Sequence, residues 1–152
     1  RVAPVGRRCS RALHPCGLHE AAVTLAAALL ALWPWLAGVP VEPLRAVEIA
    51  AVDFAVPLDV LAAVCWQESR LSLAPRYASL CGVRVGHRYV RDDGQSATIA
   101  ARTLARAHAR CGTWLRAVAA YRADGHCGAA AGLPYAARVV ALAARLRRHL
   151  PR

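Results

Sequence analysis

The sequence contains no lysine and no methionine, so arginine supplies every permanently charged cationic side chain. This absence is typical of a genome with a strong preference for guanine and cytosine, and the arginine content therefore partly reflects coding. The formal net charge of +11 would suit nucleic acid, anionic lipid or another acidic polymer. However, the arginines are spread along the chain, whereas nucleic-acid binding usually concentrates them on one element. We therefore expect no nucleic-acid partner.

The sequence also lacks any stretch in which apolar and polar residues alternate with the period of two that is typical of a half-buried strand. Apolar residues recur instead at intervals of three and four positions, which predicts helices over residues 43–54, 57–69, 96–111, 113–124 and 134–148. A chain of 152 residues is long enough for one domain with a sizeable core. The predicted fold is all-α, with about five helices.

Local residues support these helix boundaries. Prolines at positions 43, 57 and 134 suit the first turn of a helix. Ser96 is a good N-cap, and Gly112 a good stop. Between the second and third helices, residues 71–94 contain no sustained period, so we expect mostly loop, with Asp92 and Asp93 as turn-forming residues.

The chain begins with a basic stretch followed by an uncharged apolar stretch at residues 21–41. This order is typical of an export signal. We therefore divide the chain into a signal peptide or membrane anchor at residues 1–41 and a catalytic domain at residues 42–152. Cleavage near Ala37 is slightly favoured over a retained anchor, and a buried core helix is the weaker alternative.

Four cysteines follow this segment, an even number that suits disulfide bonds in an exported protein. Four cysteines allow three pairings. Cys65 with Cys81 and Cys111 with Cys127 would each close a short loop, and free buried thiols are the alternative. A zinc site built from these cysteines and the histidines has little support, because no Cys-x-x-Cys pair is present. We expect neither a metal nor an organic cofactor.

Glu68 is the last glutamate in the chain. It follows Leu61 by seven residues and Val64 by four, which places it on the apolar face of the second predicted helix. Apolar surroundings favour the protonated form of a carboxyl group, and a general acid must be protonated. The alternative is a glutamate at a helix end that turns to solvent or pairs with Arg70 or Arg76.

Three segments in order resemble one known family. Residues 56–69 (VPLDVLAAVCWQES) resemble the helix that carries a Glu-Ser pair in the lytic transglycosylase domain, which is related to goose lysozyme. Residues 119–123 (AAYRA) resemble that family's Ala-Tyr-Asn-Ala-Gly segment. Residues 135–139 (YAARV) resemble its closing Tyr-Val-x-x-Val helix.

The resemblance implies a lysozyme-like helical fold and cleavage of peptidoglycan between N-acetylmuramic acid and N-acetylglucosamine. It assigns general acid and then base catalysis to Glu68. It further implies substrate-binding or supporting roles for Ser69, Gly82, Val83, Tyr121 and Tyr135. We expect an exported monomer, periplasmic or extracellular, whose partner is the glycan strand.

Two departures from the family pattern lie on the substrate-binding side. Gly82-Val83-Arg84-Val85 keeps the glycine and an aliphatic residue of the family's Gly-Leu-Met-Gln segment but lacks its glutamine. Arg122 stands where the family has asparagine, and Asp124 precedes Gly125 as if one residue had been inserted. These changes motivate an alternative function, a catalytically weakened module that binds glycan in an envelope or secretion assembly.

Overall fold

The computed structural model describes residues 18–32, 40–71 and 79–150. Within these ranges the chain forms six α-helices and one short hairpin, so the all-α prediction is confirmed. The helices are α1 (Leu18–Leu32), α2 (Val41–Asp53), α3 (Leu58–Ser69), α4 (Asp93–Cys111), α5 (Trp114–Arg122) and α6 (Leu133–Arg147). A single 3₁₀ turn, Ala130–Gly132, leads into α6.

The third helix, α3, is the centre of the domain. Its run from Val60 to Trp66 is buried on every side, as expected for a helix that is apolar all round. It packs against α2, α4 and α6, while α5 lies between α4 and α6. Arg147, at the end of α6, forms an ion pair of 2.6 Å with the buried Asp59 at the start of α3. The two helices are therefore antiparallel, and the start of α6 lies beside the end of α3.

The predicted helix boundaries hold within two residues, except at the start of α4. This helix begins three residues before Ser96, because the side chain of Asp92 caps it by accepting a hydrogen bond of 2.6 Å from the Gln95 amide. Asp92 is thus the N-cap that the sequence assigned to Ser96. Ser96 is instead fully buried and bonds to Ser79. Gly112 ends α4 with a φ of 77°, as predicted.

The hairpin was not predicted. Strands β1 (Arg84–Val85) and β2 (Arg88–Tyr89) pair antiparallel, with Arg84 opposite Tyr89. Gly86 opens the two-residue turn with a φ of 60°, a conformation that glycine adopts at little cost. Strands of two residues are too short to show an alternating pattern. Gly86 was the sequence feature that could have indicated the turn.

Both disulfide bonds expected from loop length are present. Cys65 is joined to Cys81, and Cys111 to Cys127, each across 16 positions of sequence. The first links α3 to the segment before the hairpin, and the second links the end of α4 to the segment after α5. Disulfides of this kind persist in oxidising surroundings, and they indicate a location outside the cytoplasm.

Helix α1 packs against α2 and also contacts α6. Leu25 and Leu29 are buried there and belong to the main core. None of the described helices has the length and apolar character needed to cross a membrane. The predicted cleavage position near Ala37 lies outside the described residues, and the signal or anchor function of residues 1–41 stays a prediction.

Glu48 of α2 is a carboxylic acid buried within this core, with 3 % of its surface exposed. Neither of its carboxyl oxygens has a hydrogen-bond partner of normal geometry. Burial raises its pKa from 4.5 to about 7, against the opposing effects of the Leu25 backbone and the charge of Arg45. The folded state therefore holds a proton on Glu48 that the unfolded chain releases at lower pH.

This difference predicts a pH-dependent stability. Because the pKa is higher in the folded state, the contribution of Glu48 falls as pH rises from 4.5 to about 7 and is constant above. We expect the wild type to lose on the order of 2 kcal/mol over this range relative to Glu48→Gln. Urea unfolding at a series of pH values measures this difference. Glu42→Gln, an exposed change on the same helix, is the control, and equal curves for Glu48→Gln and the wild type would contradict the assignment.

Candidate active site

Glu68 lies in the last turn of α3, where the buried central helix reaches the surface. Its side chain is half-buried and faces a cleft of about 550 Å³. The cleft is also lined by three of the other predicted site residues, namely Gly82, Val83 and Tyr121. Residues that are distant in sequence therefore meet around one carboxyl group.

One alternative was that a neighbouring arginine pairs with the Glu68 side chain. The described residues do not form this ion pair. Glu68 makes no ion pair among them. The guanidinium of Arg70 lies instead over the ring of Trp66, at 5.7 Å from its centroid. Arg76 lies outside the described residues. The Glu68 carboxyl thus faces the cleft without a cation from Arg70.

Gly82 lies directly against the Glu68 side chain. A Cβ atom at this position would come within 2.5 Å of Oε2 and 2.8 Å of Cδ of Glu68. The φ of Gly82 is +71°, which also disfavours any side chain. A side chain at this position would therefore adopt a disfavoured backbone conformation and displace the Glu68 side chain. The backbone of Gly82 forms one wall around the carboxyl group.

Hydrogen bonds from side chains of neighbouring helices and one disulfide fix the 79–83 loop, which carries Gly82. The loop is attached to α3 by the Cys65–Cys81 bond and by the hydroxyl of Ser69, which donates to the Leu80 carbonyl at 2.6 Å. It is attached to α4 through Ser96, whose hydroxyl accepts from the Cys81 amide at 3.1 Å. Helices α3 and α4 therefore both determine the position of the wall beside Glu68.

Within the loop, Ser79 completes this arrangement. Its hydroxyl bonds to that of Ser96 at 2.9 Å and accepts from the Val83 amide at 3.1 Å. These buried polar groups satisfy each other, as buried hydroxyls normally do.

Tyr121 makes the contact between the loop and α5. Its hydroxyl donates to the Cys81 carbonyl at 2.7 Å. Burial, together with the negative charge of Glu68, raises the pKa of the Tyr121 phenol above its usual range. The phenol therefore remains neutral, and it acts on the site chiefly by holding the loop that borders Glu68.

Tyr135 approaches the same carboxyl from the first turns of α6. It is 6 % exposed, and its hydroxyl has no hydrogen-bond partner of normal geometry. Burial, then the charge of Glu68 and a hydrogen-bonding interaction with its carboxyl group, raise the pKa of this phenol. The Tyr135 hydroxyl is therefore placed to bond the Glu68 carboxylate or a bound ligand.

Gly132 explains how Tyr135 comes so close. A Cβ atom on Gly132 would collide with the carbonyl oxygen of Ala119 in α5. The missing side chain allows the start of α6 to lie directly on α5, which brings Tyr135 and Tyr121 to neighbouring positions beside Glu68.

Two predicted site residues have less direct roles than the resemblance implied. Ser69 is 1 % exposed and lies beneath the cleft, where its hydroxyl bonds to the carbonyls of Leu80 and Cys65. It positions the 79–83 loop rather than facing a ligand. Val83 is 7 % exposed and contributes a small apolar part of the wall.

The cleft also contains residues that the sequence did not assign to a site. Arg84 and Tyr89 come from the hairpin, Arg122 from the end of α5, and Asp124 from the turn that follows. Arg122 and Asp124 had been noted as departures from the family pattern, which was the available signal. Arg84 lies in the segment that departs from the family's Gly-Leu-Met-Gln pattern, whereas nothing in the sequence indicated Tyr89, because its position depends on the unpredicted hairpin.

Two of the cysteines considered as ligands for a zinc site cannot bind a metal. Cys111 and Cys127 are joined in a disulfide and supply no thiolate. In residues 18–32, 40–71 and 79–150, no three histidine, cysteine or acidic side chains are grouped as metal ligands.

The close approach at Gly82 can be tested against a matched glycine. Gly86 has a similar φ of +60°, but a Cβ atom there would meet nothing within 4 Å. We expect Gly82→Ala to lower the free energy of unfolding by about 1–3 kcal/mol more than Gly86→Ala, because only the former overpacks against Glu68. Urea denaturation measures both values. In a Glu68→Ala background the excess should disappear; if it persists, the contact with Glu68 is not its cause.

The two disulfides provide a second matched comparison. Because both close loops of the same length, replacing either pair by alanine should cost about 3 kcal/mol of stability. Only the Cys65→Ala/Cys81→Ala variant should increase hydrogen exchange at the Cys81 and Val83 amides, which bond within the fixed loop. Native-state exchange followed by NMR measures this effect. Equal protection of these amides in both variants would contradict the role of the first bond.

Comparisons with known proteins found no match to this chain. No family model matches the chain, and no match was found among curated proteins or solved structures. The site is therefore defined by its own geometry, a half-buried glutamate bordered by the backbone of Gly82 and by two neutral tyrosines.

Proposed function

We propose that this protein is a lytic transglycosylase that cleaves the glycan strands of peptidoglycan between N-acetylmuramic acid and N-acetylglucosamine. The observation that carries the proposal is the position of Glu68, a carboxyl group without an ion pair among the described residues, which faces a cleft beside Gly82 and Tyr121. The ordered resemblance of residues 56–69, 119–123 and 135–139 to that family supports it.

In the first step, Glu68 acts as a general acid. Its carboxyl proton moves to the glycosidic oxygen as the bond between that oxygen and C1 of N-acetylmuramic acid breaks. The leaving strand then ends in a neutral 4-hydroxyl. Positive charge develops at C1, and the carbonyl oxygen of the substrate's own 2-acetamido group bonds to that carbon, so the protein supplies no nucleophile.

In the second step, Glu68 acts as a general base. Its carboxylate accepts the proton of the 6-hydroxyl while O6 bonds to C1 and displaces the acetamido oxygen. The product is a 1,6-anhydro sugar, Glu68 has regained its proton, and no water is consumed. One carboxyl group therefore serves both steps, whereas an ordinary glycosidase uses two.

The surroundings of Glu68 suit this sequence of charges. The hydroxyl of Tyr135 is a neutral donor beside Glu68 that can bond the carboxylate after the first step. The wall at Gly82 restricts the carboxyl to the side that faces the cleft. Both features favour the transfer of a proton from Glu68 to the substrate, and from the substrate back to Glu68, at one position in the cleft.

The proposed site of action is the periplasm or the extracellular space, where peptidoglycan is accessible. The two disulfides support an oxidising location. The net charge of +11 would attract the chain to an anionic cell envelope. Whether residues 1–41 act as a cleaved signal or a retained anchor is part of the same proposal.

The test compares the wild type with Glu68→Gln on purified peptidoglycan in water enriched in ¹⁸O. We expect the wild type to release anhydro-muropeptides that contain no ¹⁸O, because water is not the nucleophile. Glu68→Gln should lose at least about 100-fold of the rate, since the amide can neither donate nor accept the proton. Mass spectrometry of the products measures both results.

Asp124→Asn is the matched control, because it removes the other carboxyl group that lines the cleft. We expect it to retain most of the wild-type rate. Products with ¹⁸O at the reducing end, together with a large loss in Asp124→Asn, would instead indicate hydrolysis by two carboxyl groups. The absence of any product from the wild type would overturn the proposal.

A second candidate is the weakened module that binds glycan without cleaving it. The substitution of Arg122 for the family's asparagine and the missing glutamine near Arg84 favour it. It predicts that the wild type and Glu68→Gln bind glycan strands equally and that neither releases product.

A further inference from the structure

Two arginines of the cleft have no carboxylate partner. Arg84 and Arg122 both line the same cleft as Glu68, and neither forms an ion pair within the part of the chain that the structure describes. Asp124 lines the cleft as well, but it lies beyond ion-pairing distance of both guanidinium groups. Two guanidinium groups without a carboxylate partner therefore lie near Glu68 in a cleft that is open to a ligand.

Each guanidinium is also held in place by an aromatic ring. Arg122 lies over the ring of Tyr135, 5.8 Å from its centroid, and Arg84 lies 4.2 Å above the ring of Tyr89. Arg84 further bonds to the Tyr89 hydroxyl. Stacking of this kind orients the planar cation and leaves N–H groups at its edge free to donate. Orientation before binding reduces the entropy that a ligand contact would otherwise cost.

We infer that Arg84 and Arg122 bind a carboxylate that the glycan strand presents beside the bond to be cleaved. The inference rests on the proposed function, and it specifies which glycan the cleft prefers. A neutral chain of N-acetylglucosamine would leave both cations unpaired, whereas a strand with carboxylates would satisfy them. Arginine suits this ligand because its fork of donors matches the two oxygens of a carboxylate.

Peptidoglycan offers such a carboxylate on every second sugar. N-acetylmuramic acid carries a lactyl ether whose carboxyl group is free when the stem peptide has been removed. When the stem is attached, that group is an amide and the peptide supplies other carboxylates. The chemistry recognised is the same in both cases, so the source is left to the experiment.

The test measures binding of soluble glycan strands to the full chain carrying Glu68→Gln, which separates binding from cleavage. Four strand preparations of equal length are compared by calorimetry. Two carry free carboxyl groups, namely strands with intact stems and strands freed of stems by an amidase, and the other two are the same strands with their carboxyl groups converted to methylamides. Arg84→Gln and Arg122→Gln are introduced singly and together. Arg116→Gln, an exposed change on α5 outside the cleft, is the matched control.

We expect each cleft variant to weaken binding of a charged strand about tenfold, as for the loss of one charge-assisted contact. Binding of methylamide strands should not change, and Arg116→Gln should behave as the parent. Arg122→Lys should recover part of the affinity, because it restores charge without the fork. A loss confined to stem-free strands identifies the lactyl carboxylate, and a loss confined to intact strands identifies the peptide.

Equal weakening on charged and methylamide strands, or none on either, would overturn the inference. Thermal unfolding of each variant identifies any loss that comes from misfolding, and Arg122→Lys then decides the matter because it keeps the cation. Arginine-dependent binding without anhydro product from the wild type would refute the proposed reaction alone. Anhydro product without arginine dependence would refute this inference alone.

Discussion

The covalent link between α3 and the 79–83 loop is the constraint on which the site depends. Cys65 lies three residues before Glu68, and its partner Cys81 immediately precedes Gly82. The loop is consequently placed by the same helix that carries the acid, and the bonds from Ser96 and Tyr121 fix it from two further directions. The Glu68 carboxyl group and the wall that borders it thus share one rigid frame.

The antiparallel arrangement of α3 and α6 supplies the remaining part of the frame. The ion pair between Asp59 and Arg147 joins the two helices at one end, and Tyr135 meets Glu68 at the other. The distance between these contacts is set by two regular helices rather than by loops. The position of the tyrosine is therefore determined by the packing of the core, and it should be insensitive to changes on the surface.

The sequence predicted the features that local chemistry controls. Pro57 and Gly112 marked helix ends correctly, and equal short loops suggested the correct disulfides. Apolar spacing placed Glu68 on an inward face, whereas α3 is buried all round from Val60 to Trp66 and Glu68 is half-buried at its end. Ser96 was misassigned because its hydroxyl bonds to Ser79, a tertiary contact that no local pattern records. Arg84 and Tyr89 were missed for a related reason, since a hairpin of two-residue strands brings them to the cleft. The function of the site depends on a substrate, which no local sequence pattern describes.

The Cys65–Cys81 bond also makes the geometry of the site depend on the oxidation of two thiols. With both thiols reduced, the 79–83 loop would have only hydrogen bonds to hold it beside Glu68. Formation of the bond needs an oxidant, which a reducing compartment does not supply. The geometry around the carboxyl group therefore depends on the redox state of the compartment as well as on folding.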